Sequence, residues 1–166
     1  MNPTTDKSST STHRLPQAIS EALASFEHLV VDDRLALLWA MHQSVGCSLT
    51  ACAPGAARLF LTQGLLNRVK QMSPAEQLSV IRDLLTRTDT PITRQYGMFV
   101  PKTKLAFWSQ LFEWMYKGEV APVSTSYELS PTGVQLFKQI MSLDYNEQIE
   151  LVRQALIDTG IDPEAV

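Results

Sequence analysis

The sequence predicts an all-α fold, and three observations carry that prediction. From Leu15 onward apolar residues return with the 3.6-residue rhythm of a helix. Start and stop signals cut that rhythm into segments of helical length. No stretch sustains the period-two alternation of a half-buried strand.

Taken in order, the elements begin after a polar, Ser/Thr-rich segment, MNPTTDKSSTSTHR, which lacks the apolar stretch of a secretory signal and reads as a disordered tail over 1–14. One helical domain is expected over 15–166. Its first two helices fall near 16–28 and 32–45, the second ending at Gly46, and a third near 55–71. The fourth, near 74–87, opens on Ser73-Pro74-Ala75-Glu76, with Ser as N-cap, Pro at the first helical position and Glu reaching back as a capping box. A short helical turn is expected around 91–97. Val100-Pro101 opens a helix over 101–117 that Gly118 stops, Ser130-Pro131 opens one over 131–142, and Asp144 with Glu147 repeats the capping box before 146–159, which Gly160 ends. Between Gly118 and Ser130 the segment GEVAPVSTSYELS contains Pro122 and so cannot be helical throughout. It should run extended over the helices, with Val120, Val123 and Tyr127 as apolar anchors.

Composition excludes several function classes. The formal net charge is −3 with both signs interspersed, so no basic field exists to hold a phosphate backbone, and nucleic acid is not an expected partner. Charges interrupt every apolar run well before the roughly 20 residues of a membrane span, so a soluble protein is expected; the sparse cysteines make a reducing cytoplasm the expected location. Cys47 and Cys52 are too few for a disulfide framework and have neither redox nor zinc spacing. His13, His28 and His42 are scattered; His42 lies on an apolar helix face, where a hydrogen-bonded core histidine is the simpler reading and no metal site is expected. No phosphate loop, nucleophile elbow or paired-carboxylate pattern offers acid–base or nucleophilic chemistry, so no catalytic residues are assigned.

Two helices are too apolar for a surface position. Leu35-Ala36-Leu37-Leu38-Trp39-Ala40-Met41-His42 is apolar on every face, where a surface helix has one stripe. The helix near 104–116 has two stripes, Leu105, Trp108, Phe112 and Met115 on one and Phe107, Leu111 and Trp114 on the other. Either both faces are covered by protein, or one lines a cavity for an apolar ligand. Periodicity does not separate these readings. The supply of large polarizable side chains, Trp39, Trp108, Trp114, Tyr127, Met41, Met72 and Met115, suits a conjugated polyene as well as a core.

Five segments together resemble a known family: DDRLALLWAMHQSVG (32–46), LTACAPGAA (49–57), DLLTRTDTPITRQY (83–96), PKTKLAFWSQLFEWMYKGEVAPV (101–123) and LVRQALIDTGIDP (151–163). In that order, from about Ala18 to Pro163, they are similar to the carotenoid-binding N-terminal domain of the orange carotenoid protein and its stand-alone relatives, the helical carotenoid proteins. The resemblance implies two interleaved four-helix bundles with a carotenoid channel between them. It implies a keto-carotenoid (canthaxanthin, echinenone or 3'-hydroxyechinenone) as ligand. Trp39 and Trp108 fall at positions that pack on a terminal ring, and Leu35, Leu38, Gly55, Ile81, Leu105, Met115, Val123 and Tyr127 along the polyene. Gly55 suits a close backbone approach to a flat ligand. At two positions where the family usually has tyrosine this chain has His42 and Ser109, and Ile81 replaces a methionine, which exchanges aromatic contact for smaller or polar surface. Arg153 stands where the family has an arginine that docks partners.

The sequence stops just after Pro163, without the family's light-sensing C-terminal domain, so a constitutive pigment protein is expected rather than a photoswitch. The implied role is photoprotection, by quenching singlet oxygen or phycobilisome excitation. Expected partners are the carotenoid, the phycobilisome at the thylakoid surface and a carotenoid-donating C-terminal-domain homologue, with the chain itself a monomer. The alternative is an all-α interaction adaptor whose aromatic helices are plain core and which carries no pigment.

Overall fold

The computed structural model describes residues 15–45 and 56–164, and every regular element in them is a helix. In chain order these are α1 (Gln17–Glu27), α2 (Val31–Val45), α3 (Ala56–Gln71), α4 (Pro74–Thr86), α5 (Pro91–Gly97), α6 (Pro101–Tyr116), α7 (Pro131–Met141) and α8 (Tyr145–Ile157). The all-α expectation holds, and the ends fall within about two residues of those expected from the sequence.

Local chemistry sets those ends. Ser73 accepts from the backbone N–H of Glu76 while Glu76 accepts from that of Ser73, so α4 starts on a complete capping box. Asp144 and Glu147 do the same for α8, which places its first helical residue at Tyr145. Ser130 caps α7 through the N–H of Gly133. A fourth cap carries no familiar sequence signal: Thr90 and Thr93 form a reciprocal box ahead of Pro91, with threonine in the role usual for glutamate. Gly118 adopts φ +75° just past α6, as its place predicts. α4 ends without glycine, on Arg87 at φ 56°. α8 ends earlier than expected, at Ile157, because Thr159 turns back and its hydroxyl donates to the Leu156 carbonyl at 2.6 Å.

The helices pack as two groups of four. α8 lies against α1 and α2, and α7 against the same two; in the other group α4 joins α3 and α5, and α6 lies along α3. The groups interlock where α2 meets α4 and where α6 meets α8. Both stripes of α6 are therefore covered by protein: Leu105, Trp108, Phe112 and Met115 are buried, and so are Phe107 and Leu111, with Trp114 half-buried. Each such large apolar side chain contributes about 1.5–3 kcal/mol on burial. Gly46, Cys47, Cys52, Gly55 and His13 lie outside the described residues. No helix among the described residues is long and apolar enough to cross a membrane.

Candidate functional site

α6 carries Trp108, Phe112 and Tyr116 at successive intervals of four, which stacks their rings along one helix face. α2 answers with Trp39 and His42, three residues apart. Phe112 is the hub: its ring centroid lies 5.5 Å from Trp108, 6.1 Å from Trp39 and 4.7 Å from His42, the imidazole tilted by 32°. Trp39 also approaches Tyr116 at 6.4 Å. These separations fit offset and tilted aromatic packing. Phe112 and Trp108 are fully buried, Trp39 and His42 half-buried, and Tyr116 is exposed. The cluster thus runs from the core to the surface.

Polar groups fix the inner end of that cluster. The Trp108 indole N–H is shared between the Tyr96 hydroxyl at 2.9 Å and the Thr159 hydroxyl at 3.1 Å, and Tyr96 in turn donates to the Leu156 carbonyl at 2.9 Å. Burial pushes the Tyr96 hydroxyl far above its ordinary pKa, against the smaller opposing effect of its hydrogen bonds to Thr159 and Trp108. It therefore stays a neutral donor. The chain after α8 is held here too, with Gly160 N–H on the Leu84 carbonyl at 2.8 Å and Ile161 N–H on that of Thr93 at 3.2 Å. Gly160 has φ +73°, and a Cβ there would come within 2.4 Å of the Tyr96 ring. Gly97 is closer still: a Cβ on it would lie 1.6 Å from the Ile161 carbonyl oxygen.

The segment from Gly118 to Ser130 is non-helical, as Pro122 requires, and it is tied down at both ends. Near its start Val120 is buried, and the Ala121 N–H donates to Gln77 Oε1 at 2.9 Å; the Gln77 amide nitrogen bonds the Val69 carbonyl at 3.1 Å. Near its end Asp33, fully buried at the start of α2, accepts from the Tyr127 hydroxyl at 2.7 Å, from the Ser130 N–H at 3.2 Å and from the Ser130 hydroxyl. Burial is the largest single influence on Asp33 and raises its pKa, but the bonds from Ser130 and Tyr127 together outweigh it and leave the carboxyl below its ordinary range. Tyr127 is pushed up to about 12, first by donating to Asp33 and then by burial.

The residues singled out from the sequence do not gather in one place. Trp39, His42 and Trp108 meet around Phe112. Leu38 faces the other way, lining a small apolar cavity with Phe26, Met41, Ile140, Leu151, Val152 and Ala155 between α1, α2, α7 and α8. Leu35, Ile81, Leu105 and Met115 are buried, Ser109 and Val123 half-buried, and Tyr127 is drawn to Asp33. Gly55 lies outside the described residues. Arg153 is half-buried on α8 and has no hydrogen bond or ion pair among the described residues. One expectation is corrected: His42 is not a hydrogen-bonded core histidine, because its ring stacks on Phe112 and neither nitrogen has a hydrogen-bond partner among the described residues. Burial lowers its pKa, which leaves the imidazole neutral near pH 7. Sequence reasoning missed Asp33, Gln77, Tyr96 and Thr159. Asp33 reads in sequence as a solvated first-turn acid, and its partners are 94 and 97 residues away.

Comparison with known proteins adds to this geometry. A family model described as "Orange carotenoid protein, N-terminal" matches residues 12–162. A Nostoc protein described as an orange carotenoid-binding domain-containing protein is 46% identical over 146 residues, 88% of this chain and 85% of its own. The orange carotenoid-binding protein of Synechocystis is 37% identical over 142 residues, and the match takes in 86% of this chain but only 45% of that longer protein. Among solved structures, the Anabaena (Nostoc) orange carotenoid protein binding canthaxanthin superposes with a TM-score of 0.83 at 39% identity, over 87% of this chain and 46% of that one. The Red Carotenoid Protein of the same organism, binding canthaxanthin, gives a TM-score of 0.71 at 32% identity, over 86% of this chain and 97% of that one.

Proposed function

Because the chain belongs to the family of the orange carotenoid protein N-terminal domain, we propose that it binds one keto-carotenoid non-covalently, canthaxanthin or a close relative, and serves in photoprotection. The observation that carries this reading is its likeness, over nearly the whole of both chains, to a structure that holds canthaxanthin. The aromatic cluster between α2 and α6 supports it, since Trp39 and Trp108 converge on one ring and form a set of flat, polarizable side chains of the kind that packs on the end of a polyene. In this reading Trp39, Trp108, His42 and Ser109 surround the terminal ring, and Leu35, Leu38, Gly55, Ile81, Leu105, Met115, Val123 and Tyr127 follow the polyene. The segment anchored by Asp33 and Gln77 is its cover.

The act is physical rather than catalytic. A bound polyene accepts energy from singlet oxygen or from an excited phycobilisome, and the protein supplies shape, solubility and a dry environment. Arg153, with no ion partner among the described residues, is the proposed docking cation toward a phycobilisome or a carotenoid-donating partner. Binding is proposed to be constitutive in a cytoplasmic monomer. The test is the visible spectrum of the protein purified from a host that makes keto-carotenoids. A carotenoid band that comigrates with the protein in gel filtration and does not shift reversibly under blue light is the expected result. Colourless, folded protein would overturn the pigment reading in favour of an adaptor, and a reversible shift would overturn the constitutive one.

A further inference from the structure

We propose that His42 is a specificity-determining residue, whose imidazole hydrogen-bonds an oxygen on the end ring of the bound pigment and so selects oxygenated carotenoids over hydrocarbon ones; the inference rests on the carotenoid reading above. His42 sits in the aromatic cluster, with its ring stacked 4.7 Å from Phe112. The stack occupies the faces of the imidazole. Its two nitrogens lie on the ring edge, outside the stack, and neither has a hydrogen-bond partner among the described residues.

Three other polar groups of the site are already engaged, whereas the Trp39 N–H and the Ser109 hydroxyl, like His42, have no hydrogen-bond partner among the described residues. The Trp108 N–H is held by Tyr96 and Thr159, Tyr96 by the Leu156 carbonyl, and the Tyr127 hydroxyl by Asp33. Water still reaches the half-buried imidazole, and no buried side-chain nitrogen or oxygen among the described residues lacks a partner; a pigment ring that packs on it displaces that water, so a ligand oxygen replaces the bond that the contact removes. A neutral imidazole offers one N–H donor and one acceptor nitrogen. A ring carbonyl accepts from the first, and a ring hydroxyl can engage either. An unsubstituted hydrocarbon ring offers neither and would leave the imidazole unpaired at the contact.

Competition between canthaxanthin and β-carotene tests this. Pigment-free protein is mixed with equal amounts of both, and the protein-bound fraction is extracted and quantified. The wild type is expected to take up canthaxanthin preferentially. His42→Phe keeps an aromatic ring on Phe112 but loses the donor, and should lower the preference about fivefold, the size of one neutral hydrogen bond; His42→Gln, which restores a donor, should recover much of it. Circular dichroism checks that each variant is helical. A measurement that needs no variant is the Raman carbonyl stretch of bound canthaxanthin, expected below its value in hexane. An unchanged preference in His42→Phe, equal uptake of both pigments by the wild type, or an unshifted carbonyl stretch would overturn the role of His42 while leaving the pigment reading intact. Uptake of neither pigment would overturn both.

Discussion

Asp33 shows how one buried carboxylate organises distant chain. Its oxygens receive Tyr127 and Ser130, and so join the start of α2 to the end of the 118–130 segment and to the cap of α7. Asp33→Ala leaves the Tyr127 and Ser130 donors without their acceptor and is expected to cost about 3 kcal/mol in urea unfolding, while Tyr127→Phe leaves the buried carboxylate short of one bond and is expected to cost about 2 kcal/mol. The pH dependence has a definite sign. The folded pKa of Tyr127 lies above its unfolded value near 10, so its contribution is complete below pH 10 and lost as pH rises toward about 12. Asp33 is depressed, so its contribution is present above its ordinary value of 3.8 and lost as pH falls through the folded pKa. The difference between wild type and Tyr127→Phe across pH 9–12 isolates the share of Tyr127, so the alkaline loss of stability should be shallower in the variant, which keeps the part due to buried Tyr96. Trp108→Ala belongs to the same scale. It removes a fully buried indole with two hydrogen bonds, with an expected loss of about 4 kcal/mol and of pigment occupancy; unchanged yield and spectrum would remove Trp108 from the ring site.

At the scale of elements, caps and close approaches carry separate predictions. Ser73→Ala breaks the α4 capping box and should lower stability by about 1 kcal/mol without altering any ring contact. Gly160→Ala acts differently, since the new Cβ meets the Tyr96 ring and the backbone must hold a left-handed φ. It is expected to release the turn after α8 from α4 and α5, read as faster exchange of the Ile161 amide than in the wild type. Gly64, in the middle of α3, has open space where an alanine methyl would stand, with nothing within 4 Å, so Gly64→Ala should raise the melting temperature, helix propensity favouring alanine by about 1 kcal/mol. How much of these elements is legible in the sequence follows from the same contrast. Ser73-Pro74, Ser130-Pro131 and Asp144 with Glu147 are local signals, and the helices they open stand where those signals put them. The Thr90 and Thr93 box and the Arg87 end use residues whose role depends on side-chain direction, which spacing does not give.

The whole molecule joins its two groups of helices through α2, α6 and the turn that follows α8. That turn touches Leu84, Thr93, Tyr96 and Trp108 at once, so three elements of one group are held by a few residues at the far end of the chain. Deleting 159–166 should lower the melting temperature by several degrees, since it removes two backbone bonds and the Thr159 hydroxyl from a buried network. An unchanged melting curve would mean that Tyr96 and Trp108 need no support from that turn.

The sequence by itself determined the helical class, the positions of seven helices with a short turn near 91–97, the extended segment around Pro122 and, through five short stretches in order, the family. Those features are set by local backbone chemistry or by matching strings, and both are one-dimensional. Only the tertiary structure decided that both stripes of α6 are covered, that Leu38 and Trp39 face opposite surroundings, and that Phe112 gathers Trp39, His42 and Trp108. It also decided that His42 lacks, among the described residues, the hydrogen bond expected of a core histidine, and that Asp33, Gln77 and Thr159 hold distant segments together. The physical reason is that hydrogen-bond partners across 44 to 97 residues are chosen by where packed helices bring side chains, and no spacing along the chain encodes that choice.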